Sequence, residues 1–152
     1  MPASQFLLGL LFVSYLIVGF IAIQIGAAEG SSAFWLFLGD SLAYLVYVSL
    51  VLSFFKRRSR FVQTASALVG ADVFFNLLGI PLLAWSVASD TSGADPTLPT
   101  LLFVILFFWS VDVAGYVVSR AVERPYIVGV LIVIMYVMTS LSIRESFAPV
   151  TP

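Results

Sequence analysis

The chain has 152 residues, 61% of them hydrophobic and 10% charged, with a net charge of −1. A soluble domain is about half apolar and about a quarter charged, and one of this length cannot hide so much apolar surface from water; lipid is the expected solvent. The absence of Cys and His removes disulfides, thiolate nucleophiles, imidazole bases and the usual zinc, copper and haem ligands, and the near-neutral charge offers no footprint for nucleic acid.

A membrane span needs about 20 mainly apolar residues. In hydrocarbon the backbone must close its own hydrogen bonds, so each such run is a helix. The first, 6–27, is interrupted only by Ser14, Tyr15 and Gln24. It is longer than a secretory h-region and has no basic residue before it, so it reads as a retained helix. Glu29-Gly30-Ser31-Ser32 turns the chain into the second run, 33–55, which stops at Lys56-Arg57-Arg58-Ser59-Arg60. The third, 61–88, carries Pro81, which leaves the Leu77 carbonyl without its donor and predicts a kink. Its Ser66-x-x-x-Gly70 and Ala67-x-x-x-Ala71 spacings offer a small-residue face for close helix approach. Ser89 to Thr97 reads as a polar loop broken by Gly93 and Pro96. The fourth run, 98–119, and the fifth, 125–143, are separated by Arg120, Glu123 and Arg124, charges expected at an interface, and a polar tail begins at Arg144. None of the runs alternates as a barrel strand does. The expected fold is all-α: one transmembrane domain over 1–152, a bundle of five helices, or four if the last two runs form one bent or re-entrant element.

Short loops rich in Lys and Arg stay in the cytoplasm. Lys56, Arg57, Arg58, Arg60, Arg120 and Arg124 fall on one side of such a bundle, while the Glu29 and Asp90/Asp95 turns contain no base. The N-terminus is then cytoplasmic and the C-terminus outside. Trp35 and Trp85 fall near the outer ends of their helices, where an aromatic belt is expected. The 56–60 segment is an orientation signal that also suits anionic lipid headgroups.

Asp40, Asp72 and Asp112 interrupt the second, third and fourth runs. An Asp at a helix centre costs roughly 2.5–3.5 kcal/mol on insertion scales, and no Lys or Arg shares a run with them. They are therefore neutralised by protonation, hydrated, or bound to a cation. Each has a polar residue four positions on: Tyr44, Asn76 and Tyr116. Residues at i and i+4 share a face, so Asp40, Tyr44, Asp72, Asn76, Asp112 and Tyr116 form a candidate polar seam, with Gln24 at its outer end. As structure, the seam is polar glue between helices. As function, it marks a proton or cation path. Tight binding of a hard metal needs more carboxylates, so neither a metal nor a cofactor is expected.

The basic turn followed by Asn76-Leu77-Leu78-Gly79-Ile80-Pro81, and then Phe108-Trp109-Ser110 in the next helix, resembles the Yip family of membrane proteins over Phe61 to Ile143. The stretch Arg60-Phe61-Val62-Gln63-Thr64-Ala65 is similar to small bacterial inner-membrane proteins. The family's Asp-Leu-x-Gly-Pro motif is absent and Gly115-Tyr116 lacks the proline of Gly-Tyr-x-x-x-Pro, so no site residue carries over. The resemblance implies a non-enzymatic adaptor in a bacterial inner membrane.

Three functions follow from these readings. The first is a non-catalytic scaffold, adaptor or accessory subunit whose partners are the bilayer and another membrane protein or a second copy. Short loops and the lack of a nucleophile–base pair support it. The second is a small proton- or cation-coupled carrier or channel, which the three acids and the proline-interrupted helix support. An Asp72/Asp112 acid–base dyad is the third; no flanking motif accompanies it, and an enzyme is not expected.

Overall fold

The computed structural model describes residues 4–25 and 30–147, with side chains described for 4–25 and 35–142. The described chain is helical almost throughout. Helix α1 spans Gln5–Ile25, α2 Gly30–Phe54, α3 Phe61–Ser92, α4 Thr97–Val122 and α5 Tyr126–Phe147, with a single 3-10 turn at Arg58–Arg60 between α2 and α3. Four stretches are long and apolar enough to cross a membrane: Gln5–Ile25, Trp35–Phe54, Arg58–Ser92 and Thr97–Val122. In α5 the stretch Tyr126–Ser142 is apolar but shorter, although the helical backbone continues to Phe147. Large apolar side chains stand on the outside of all five helices, Phe54 82% exposed and Ile127 69%, a surface suited to lipid rather than to water.

Four boundaries differ from the sequence reading: α2 already begins at Gly30, inside the expected turn, α4 runs on through Arg120 to Val122, and α3 and α5 both extend further. The polar stretch Ser89 to Ser92 is the last turn of α3 and not a loop. The hydroxyls of Thr91 and Ser92 donate to the carbonyls of Val87 and Ala88 at 2.6 and 2.8 Å, a helical habit that composition alone hides. Residues from Arg144 to Phe147 likewise continue α5 and are not yet tail; the rest of the tail lies outside the described residues, as do Gly26 and Ala27 at the end of the first expected helix and Glu29 in its turn. Helix α3 runs on through Pro81.

Three helix ends close in the same way. Lys56, Gly93 and Glu123 take left-handed backbone angles, φ 57°, 70° and 54°. The next amide reaches back five residues, Arg57 to Leu52, Ala94 to Ser89 and Arg124 to Ser119, at 2.7, 3.0 and 3.0 Å. This closure satisfies carbonyls that a helix end otherwise orphans.

Helices α1, α3, α4 and α5 pack in a row, α1 on α3, α3 on α4 and α4 on α5, and α2 lies across them with looser backbone approach to α1, α3 and α5. The row depends on small residues. Gly70 of α3 faces Leu11 of α1, Gly79 faces Phe103 and Leu106 of α4, and Gly129 of α5 abuts the Gly115 carbonyl and Ser119 of α4. Bulkier Val48 and Leu52 let α2 fill the space in front. With Leu68, Ala114, Val118, Ala121, Val122 and Val133 they form a buried apolar cluster in the half of the bundle nearest the basic turns.

The chambers between the helices

The deep polar residues sit just beyond that cluster. Asp40 and Tyr44 of α2, Asp72 and Asn76 of α3, Ser110 of α4, Tyr136 of α5 and Tyr15 of α1 line one cavity of about 180 Å³ to which all five helices contribute. A second cavity of about 200 Å³ shares Asp72, Asn76, Phe107 and Ser110 with it, and continues past Gly79 to Leu83, Phe103 and Ala22. Those residues lie toward the C-terminal end of α1 and α3 and the N-terminal end of α4, which is the acidic-loop end. The two cavities, together termed the chamber, adjoin where Asp72, Asn76, Phe107 and Ser110 line both. From Asp72 to Leu83 the chamber follows α3 for about 16 Å at 1.5 Å per residue.

The two carboxyl groups are held differently. Asp40 accepts a hydrogen bond from the Ser140 hydroxyl at 2.7 Å and lies 3.3 Å from the Tyr136 hydroxyl, which also reaches the Asp40 carbonyl at 3.2 Å. The Tyr136 ring is fixed by Tyr44 and Tyr47, with centroids 4.9 and 5.2 Å away, and the Tyr47 hydroxyl donates to the Ile132 carbonyl at 2.9 Å. Asn76 donates at 2.8 Å to the main-chain carbonyl of Asp72 and not to its carboxyl. Among the described residues no side chain donates to the Asp72 carboxyl, which borders both cavities. No Lys or Arg among the described residues lines either cavity.

Of the candidate seam, Asp40, Tyr44, Asp72 and Asn76 come together here, and Asp112 and Tyr116 do not. Both are exposed on the outer face of α4. Asp112 accepts a hydrogen bond from the Tyr126 hydroxyl of α5, and the Arg120 guanidinium lies 5.2 Å from the centre of the Tyr116 ring. The reason is azimuth. Ser110 and Ala114 face the chamber, and a residue two positions from either points about 200° away around a helix of 3.6 residues per turn. Gln24 is also exposed and stays out of the chamber. Conversely, Tyr15, Tyr136 and Ser140 were missed. Tyr136 and Ser140 are themselves an i, i+4 polar pair, and the spacing rule that singles out Asp40 and Tyr44 finds them when applied to α5. Among the described residues no three Asp or Glu side chains are grouped to hold a metal.

The basic residues converge on one end. Arg57 and Arg60 both pair with Glu123, Arg60 at 2.6 Å, and Arg60 also contacts the Arg120 carbonyl at 3.4 Å. Arg124 stacks over Phe55 at 5.9 Å, while Lys56 and Arg58 are exposed beside them. The turn after α2 and the turn after α4 are thereby tied together. Trp35 and Trp85 are exposed toward the opposite end, while Trp109 packs edge-on against Phe75 in mid-helix at 5.3 Å. Comparison with protein-family models, curated proteins and solved structures finds no match.

Proposed function

We propose that the chain is a five-span protein of a bacterial inner membrane, with its N-terminus and both basic turns in the cytoplasm, and that it handles protons or small cations in the chamber around Asp72. The observation that carries this reading is the Asp72 carboxyl. It borders some hundreds of cubic ångströms of space, takes no donor from another side chain among the described residues, and is separated from the basic end by Val48, Leu52, Leu68 and Val118. Polar glue pairs its groups with one another, as Asp40 does with Ser140; Asp72 is left facing space. A carboxyl so placed in a membrane helix suits a proton or cation site. The meeting of both basic turns at one end supports the orientation, since short basic loops are retained in the cytoplasm.

The test is flux into liposomes holding a pH-sensitive dye, under an imposed proton or cation gradient. Asp72→Asn keeps the shape and removes the charge. It is expected to cut flux about tenfold or more with no change in the thermal midpoint in detergent. Equal flux in Asp72→Asn and the parent protein would refute the reading.

A second reading, a scaffold or accessory subunit, is favoured by Asp112 and Tyr126. A carboxyl–phenol pair on a lipid-facing surface is costly, and covering it with another membrane helix removes that cost. The resemblance to the Yip family points the same way. Purification in mild detergent tests it: a stoichiometric membrane partner that is retained by the parent protein and lost from Asp112→Leu is the expected result, and no Asp112-dependent partner the refuting one.

A further inference from the structure

We propose that the chamber binds a small organic ammonium cation, of about the size of choline, with Asp72 as its counter-ion and tyrosine rings as its walls; this rests on the cation-handling reading above. The chemistry of the lining separates the candidate ligands. Among the described residues an anion meets two carboxyls and no base. A dehydrated metal ion wants six or more oxygens for a hard divalent cation, and among the described residues no three carboxylates are grouped.

What the cavity does supply is ring surface. Tyr15, Tyr44, Tyr136 and Phe107 line the same space as Asp40 and Asp72. The rings are held in place by their neighbours. Tyr15 stacks on Phe37 with centroids 5.2 Å apart, and Tyr136 is braced by Tyr44 and Tyr47. Aromatic faces beside a carboxylate are the combination that recognises an alkylated ammonium, because the ring quadrupole attracts a charge too weakly hydrated to prefer water. The division of labour between the acids fits as well. Asp40 is already engaged by Ser140 and Tyr136, so it shapes the wall, whereas the Asp72 carboxyl has no side-chain donor among the described residues.

Size agrees. A cavity of about 150 Å³ holds benzene, and this one measures about 180 Å³, room for a cation of about seven non-hydrogen atoms by the same comparison. The adjoining cavity leads from Asp72 toward the acidic-loop end, where Asp90 and Asp95 are exposed and draw cations rather than repel them.

The experiment uses the full chain in detergent and two probes, choline and its uncharged isostere 3,3-dimethyl-1-butanol, with thermal unfolding as the readout. Choline is expected to raise the midpoint saturably and to bind at least about tenfold tighter than the isostere. Tyr44→Phe keeps the ring and should bind as the parent does; Tyr44→Leu and Asp72→Asn should each weaken binding about tenfold. Equal binding of the two probes, no saturable shift with millimolar choline, or undiminished binding in both Tyr44→Leu and Asp72→Asn overturns the inference. Asp72-dependent proton flux without choline binding overturns this inference alone and leaves the broader reading standing. Loss of both removes both. Retained binding in Tyr44→Phe shows that the fold tolerates change at that position.

Discussion

At the contact between α4 and α5 the two backbones meet at glycine, and adding one methyl group at Gly129 probes it. A Cβ there would meet the Gly115 carbonyl oxygen, together with Cβ and the amide nitrogen of Ser119 at 2.7 Å. Ordinary contact begins near 3.4 Å, and the obstructing atoms belong to backbone or sit next to it, so no rotamer change relieves the clash. The helices must move apart by a large fraction of an ångström along a seam that also holds Gly115 against Val130. Overpacking of this kind costs about 1–3 kcal/mol, and a seam with no adjustable side chain belongs at the upper end. Gly9→Ala is the control, since nothing lies within 4 Å of its Cβ position. The helical backbone persists in the membrane-unfolded state, so little propensity gain is expected there. Titration with SDS from mild-detergent micelles, followed by Trp fluorescence, should place the Gly129→Ala midpoint well below the parent value and the Gly9→Ala midpoint beside it. Coincident midpoints for Gly129→Ala and the parent would mean that this approach contributes nothing.

Three further outcomes follow from the surface groups. Glu123→Gln removes the partner of Arg57 and Arg60, whose side chains are 41% and 40% exposed; the loss should stay within about 1 kcal/mol and shrink as salt is raised, and a loss that is independent of salt would refute an ionic origin. The Asp95 carboxylate accepts hydrogen bonds from the Thr97 amide and hydroxyl, which hold it below the usual carboxylate range. A lowered folded-state value means that this contribution is present above the unfolded value and is lost as the pH falls through the folded one. Asp95→Ala should therefore be destabilised at neutral pH and converge with the parent in acid, as pH-dependent unfolding curves would reveal. Asp112→Leu in isolated protein should be neutral or stabilising, because it removes a carboxyl from a lipid-facing surface; a clear loss of stability in detergent would show that the Tyr126 hydrogen bond matters more than the burden of the charge.

Much of the helix layout was legible because insertion in lipid demands long apolar runs, and charged residues mark where those runs stop. Lys56 through Arg60 and Arg120 through Arg124 bracket α3 and α4 for that reason. The depth of each acid was legible too, since it follows from counting residues along a helix. Direction around the helix axis was not. A soluble helix advertises its buried side by an apolar stripe, but α4 is apolar on every side, and nothing in the spacing of Asp112 and Tyr116 separates a lipid-facing position from a chamber-facing one. Ser110 faces the chamber two residues earlier and looks no different in sequence. The end of α3 was hidden for another reason: Thr91 and Ser92 bond to their own helix, and their side-chain chemistry serves a loop equally well.

The uneven filling of the bundle has an electrical consequence. From Asp72 to the start of α3 at Phe61 the helix climbs about 16 Å at 1.5 Å per residue, and that half is closed by the apolar cluster around Leu52 and Leu68. In the proposed orientation, water that fills the chamber from the acidic-loop side to Asp72 would conduct the outer potential inward. The membrane voltage then drops mainly across the packed half, over a distance well short of the roughly 30 Å hydrocarbon thickness. An elementary charge moving between Asp72 and the basic turns would experience nearly the full voltage, about 2.3 kcal/mol for each 100 mV.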